Sequence, residues 1–133
     1  MVYKRFYAEV GKLLYAIASA DGRVDEKEYR LLRDLVRQKL VPMENNTDVF
    51  GTDAAYYAEM EFDVLYDQIA DAEPAFNSFI DYVEDHHLSF DNHLKDVCRQ
   101  LAREVGHAYY GINKKESSML ARLKKEMDKI MKH

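Results

Sequence analysis

Carboxylates gather at an early turn in this chain, and their spacing raises the possibility of cation chemistry. In Ala20-Asp21-Gly22-Arg23-Val24-Asp25-Glu26-Lys27-Glu28, the acids Asp21, Asp25 and Glu28 crowd one corner. Hard oxygen ligands of this kind suit a divalent cation such as calcium. Aligned with an EF-hand loop, Asp21, Gly22, Asp25 and Glu28 take positions 5, 6, 9 and 12, where the glycine and the last acid are correct. Positions 1 and 3 fall on Ile17 and Ser19. Both must supply oxygens in an EF-hand, and Ile17 has none to give, so that loop is excluded. Two readings of the corner stay open. Asp25 and Glu28 have capping-box spacing and suit the positive end of a helix dipole. A cation or partner site would use them together with Asp21, which a cap does not require.

A second set of acids steps by four: Glu59, Asp63, Asp67 and Asp71. On a helix this spacing makes one column of carboxylates. Each like-charged pair costs only ~0.2–0.5 kcal/mol, so a solvated column needs no cation to persist. It would nonetheless attract divalent metal or a basic surface. Glu84-x-x-His87 and Glu104-x-x-His107 share the form used by di-iron carboxylate bundles. In an antiparallel helix pair, however, the two histidines would stand roughly 25 Å apart, too far for one cluster. His86, His87 and His93, with Asp85 or Asp91, lack the regular spacing of a structural zinc site. The single cysteine, Cys98, falls on an apolar stripe and reads as packing.

The elements that must position these groups are helices. Phe6, Val10, Leu13, Ile17 and Ala20 predict a helix over about 3–20, and Leu32, Leu35, Val36 and Leu40 a second, ending before Pro42. A loop at 42–53 precedes a third helix over about 54–71, with Ala55, Ala58, Phe62, Leu65, Tyr66 and Ile69 inward. Pro74 suits the first turn of a fourth, whose stripe is Phe76, Phe79, Ile80, Val83 and His87. Leu94, Val97, Cys98, Leu101 and Val105 mark a fifth over about 90–108, and Leu120, Leu123, Met127 and Ile130 carry the last. No segment alternates with a period of two. The expectation is an all-α bundle of about six helices, one domain over 1–133.

The two ends of the chain echo each other at an offset of 88 residues: Leu13 with Leu101, Val24 with Ile112, Asp25 with Asn113, Glu28 with Glu116, Leu35 with Leu123. Two pseudo-repeated hairpins would then flank an acidic central pair. "IASADGRVDEKEYRLL", with the weaker "AYYGINKKE" in the second copy, resembles the TerB family of tellurite-resistance proteins. A similar domain occurs in the N-terminal part of some DnaJ-like co-chaperones. The matching positions are Ala20, Asp21, Gly22, Val24 and Glu28. The resemblance implies a helical, stress-linked domain without established catalysis that binds divalent cations through its acids. The long Tyr- and Asp-rich middle departs from the family's compact members.

Charge narrows the classes of partner. Residues 44–94 hold thirteen acids and no Lys or Arg, whereas 1–43 hold nine bases against six acids and 95–133 ten against five. An acidic block of this size repels phosphates, which argues against nucleic acid. No run approaches the ~20 apolar residues of a membrane span. With one cysteine and no signal-like N-terminus, a cytoplasmic location is expected. The expected function is a non-enzymatic TerB-like module whose acidic face binds a partner protein, divalent cations or both. The alternatives are a metal-dependent carboxylate/histidine bundle enzyme and a purely electrostatic adaptor for a basic partner. The oligomeric state stays open.

Overall fold

The structure, a computed structural model, describes residues 2–20, 24, 26–35, 56–86, 88 and 114–131. Five α-helices and no strand occur among them: α1 (Val2–Ala18), α2 (Glu26–Leu35), α3 (Tyr56–Gln68), α4 (Ala72–His86) and α5 (Lys114–Met131). The fold over these residues is all-α. None of the described helices is long and apolar enough to cross a membrane. The helix expected at 90–108, and with it the first arm of the second hairpin, lies outside the described residues.

Helix α1 is the hub. Of the expected stripe, Phe6, Val10, Leu13 and Ile17 are buried and Ala20 is half-buried, but Tyr7, Leu14, Tyr15, Ala16 and Ala18 are buried as well. A helix buried on nearly every side needs cover from several directions. Helices α3 and α4 supply most of it, and α5 and α2 touch it less. Among the described helices the centre is therefore α1, and the acidic pair α3–α4 packs on it from outside.

Gly11 sets how closely α1 and α3 approach. A Cβ there would overlap the Ala58 carbonyl oxygen and stand 3.0 Å from Glu61 Cβ. The two backbones meet without a side chain between them.

Helix α3 ends earlier than periodicity suggests. Ala70 N–H donates to Leu65 O at 3.1 Å and Ile69 N–H to Tyr66 O at 3.2 Å, which together form a Schellman cap. The residue in its left-handed position is Ile69, with φ 52°. Glycine is usual there, and the left-handed conformation costs a β-branched residue ~1–2 kcal/mol. Tyr66 of the expected core stripe is 40% exposed, and Ile69, expected there too, is 82% exposed. The cap turns the chain away before its side chain can reach α1. Tyr15, buried on α1, donates its hydroxyl to Ala70 O at 2.7 Å and ties this turn to the hub. Burial, followed by the charge of Asp71, raises the Tyr15 phenol above its ordinary pKa.

Helix α4 buries Ala75, Phe76, Phe79, Ile80, Tyr82 and Val83, and α5 buries Met119, Leu123, Met127 and Ile130. Arg122 joins these two helices. Its guanidinium lies 4.5 Å from the centre of the Phe76 ring and 2.7 Å from Glu73 Oε2. The ion pair is exposed and is worth ~0–1 kcal/mol. The stacked stem and ring add packing that the charge count misses.

Candidate functional site

The acidic column is only partly a column. Glu59, Asp63 and Asp67 lie on α3, the first two half-buried and the third exposed. Asp71 falls beyond the Schellman turn, directly before α4, at the position of an N-cap. An acid there suits the helix dipole, so Asp71 has a structural reason to exist. The spacing by four does not survive the change of helix.

Helix α2 leans on the same face. Tyr29 donates its hydroxyl to Asp63 Oδ1 at 2.7 Å. Its ring packs among Phe62 and Tyr66 at centroid distances of 5.6 and 5.4 Å, and the Arg33 guanidinium lies 5.8 Å from it. The crevice between α2 and α3 is floored by Leu14, Ala58 and Phe62 and rimmed by Tyr29, Arg33 and Asp63. At about 10 Å³ it has room for one water and no substrate. Asp63 thus serves first as the acceptor that docks α2.

This arrangement controls how Tyr29 titrates. The hydrogen bond to Asp63 comes first, then burial and the charges of Asp63 and Glu59; against the opposing pull of Arg33 they push the phenol from 10.0 up to about 12. A pKa raised on folding stabilises the fold fully below the unfolded value. The contribution is lost as pH rises from 10 through about 12. In a phenolate absorbance titration, one of the ten tyrosines is expected to ionise near pH 12. Asp63→Ala should lower it toward the ordinary phenol range, leaving the pushes of burial and Glu59, and remove that part of the alkaline stability loss. An unchanged high-pH arm in the variant would show that the bond does not form in solution.

Of the residues proposed at the early turn, Asp21 and Asp25 lie outside the described residues. Glu28 is placed on the first turn of α2 by its backbone alone. His87, Glu104, His107, His93, Asp91 and Cys98 also lie outside them. Among the described residues, no group of three His, Cys, Asp or Glu side chains is arranged to hold a metal ion.

One polar cluster has no counterpart among the motifs. Glu9 is 6% exposed on α1, and its carboxylate accepts from Ser78 Oγ at 2.8 and 3.1 Å and from Lys12 Nζ at 3.0 Å. Lys12 Nζ also reaches Ser78 Oγ at 3.2 Å. The cluster clamps α1 to α4 beneath an open groove of about 420 Å³ edged by Arg5, Asp81, Tyr82, Asp85 and His86. A serine beside a lysine invites comparison with a nucleophile and its base. Here the serine proton points at Glu9, and the lysine is ion-paired to the same carboxylate. The geometry is that of a clamp. Its sequence signal was two charged residues three apart inside a run of otherwise apolar positions.

The chain matches no protein-family model, no curated protein and no solved structure.

Proposed function

We propose that this chain is a non-enzymatic, TerB-like stress-response module that binds a basic partner protein through the acidic face of α3 and α4. One observation carries the reading. Residues 56–86 contain nine carboxylates and no Lys or Arg, six of the nine acids are exposed, and none is buried. A surface of one sign raises the local concentration of oppositely charged partners and speeds their capture. Its acids are spread along two helices instead of converging on a point, which favours an extended protein surface over an ion. The family resemblance agrees in sign, and it leaves divalent cations to the turn of Asp21, Asp25 and Glu28.

Thermal melts separate these ligands. Calcium, magnesium, zinc, manganese and iron are each added to the protein and to Asp21→Asn. An ion held at 100 times its dissociation constant adds ~2.7 kcal/mol, several degrees in melting temperature. A shift lost in Asp21→Asn assigns a cation to the turn. With no shift from any ion, the protein-partner reading is the one to pursue, and binding to a lysine-rich polypeptide should weaken steeply with added salt. Absence of that binding at low ionic strength would defeat the partner reading. Iron colour or turnover would instead revive the bundle-enzyme alternative.

A further inference from the structure

Helix α3 is apolar on two sides. Ala58, Phe62 and Leu65 face the core, while Met60 and Val64, one turn apart on the opposite side, are 56% and 46% exposed. At 100° per residue, Glu59, Asp63 and Asp67 run along one flank of the Met60–Val64 strip, and Glu61 stands on the other. Beyond the helix end, the most exposed apolar side chain among the described residues, Ile69, sits in a backbone conformation that glycine would hold without strain. Among the described residues, the strip and Ile69 stay exposed and take no part in the buried core. Residues held against their conformational preference tend to occur where a surface is used.

We propose that the outer face of α3 is a docking site for a basic amphipathic helix of a partner protein. Its apolar stripe would cover Met60 and Val64, and its Lys or Arg rows would meet the flanking carboxylates. Helix-on-helix recognition of this kind needs an apolar seam and matching charge at its borders, and α3 presents both. A second copy of the chain fits less well. Two α3 faces brought together would oppose like charges. The basic helix α5, with Lys124, Lys125 and Lys129 exposed, has already buried its own stripe of Met119, Leu123, Met127 and Ile130. It could offer charge but no seam. The proposal rests on the acidic-face reading above and adds to it the apolar strip and the form of the partner.

The test titrates the full chain with two synthetic peptides of equal length and charge. One is built from leucine and lysine at helical spacing, and the other has the same composition scrambled so that no apolar face forms. The amphipathic peptide is expected to bind more tightly by about tenfold and to show the negative heat-capacity change of apolar burial. Met60→Ser/Val64→Ser should remove that advantage while leaving the melting temperature nearly unchanged, since both sites are exposed. Ile69→Gly should move two readouts in opposite directions, raising the melting temperature and weakening the amphipathic peptide. Equal binding of both peptides, or full binding by the double variant, overturns the docking site yet leaves the acidic-face reading standing. Binding of neither peptide overturns both. A wild-type dimer in sedimentation that the double variant converts to monomer would assign the face to a second copy instead.

Discussion

Gly11→Ala is expected to lower the melting temperature by roughly 5 °C or more, although alanine is the better helix former. Two effects of opposite sign compete at this position. In an exposed helix, replacing glycine with alanine gains ~1 kcal/mol from backbone entropy alone. Here the added methyl would overlap the Ala58 carbonyl oxygen, with Glu61 Cβ close behind. Neither obstacle is the far end of a flexible side chain. The carbonyl lies within α3, so clearing it means displacing the helix, and forced repacking of a filled contact costs ~1–3 kcal/mol, occasionally more. The clash should win. Because α3 also carries Glu59, Asp63 and Met60, the same variant should weaken any ligand of that face beyond what its stability loss predicts. A melt that rose instead would show that α1 and α3 stand further apart in solution.

Periodicity found the helices wherever burial is one-sided. Phe76, Phe79, Ile80 and Val83 on α4, and Leu123, Met127 and Ile130 on α5, are inward as their spacing requires. It did less well on α1. A stripe of five positions was legible, but that Tyr7, Leu14 and Tyr15 are buried as well depends on which helices surround α1, and that information is non-local. Ile69 failed for a different reason. Its 3.6-residue phase was right for a helix that continued, and the helix stopped one residue earlier with an isoleucine where glycine normally announces the end. No residue type marked the boundary.

The candidate site was legible in charge and illegible in partnership. That 56–86 would be acidic follows from the residues themselves. That Asp63 holds Tyr29, 34 positions away, or that Asp71 begins a helix where the spacing suggested the end of one, does not. Carboxylates at i, i+4 look alike whether they await a cation, cap a helix or accept a tyrosine. What distinguishes them is which donor the fold brings near. Glu9 makes the same point from inside the core, because its donor Ser78 is 69 residues distant.

That clamp yields the second large effect. Lys12→Met should destabilise the fold by ~2–3 kcal/mol, somewhat below the ~3–5 kcal/mol typical of breaking a fully buried pair. The discount follows from exposure: the Lys12 side chain is 28% accessible and Glu9 only 7%, so the loss falls mainly on the carboxylate. Without the ammonium, Glu9 keeps its bonds from Ser78 and nothing else in the cluster offsets its charge. Removing the charge as well should restore most of the loss. Glu9→Gln retains an acceptor for Ser78, so Glu9→Gln/Lys12→Met is expected to lie within ~1 kcal/mol of the parent, since a buried pair is often replaceable by neutral groups at little cost. The coupling energy from denaturant melts of the two single variants and the double is the quantity to measure. Additive effects, with Lys12→Met near neutral, would mean that water from the groove along α4 solvates Glu9. The α1–α4 contact would then rest on Phe6, Val10, Phe76 and Phe79 without help from the clamp.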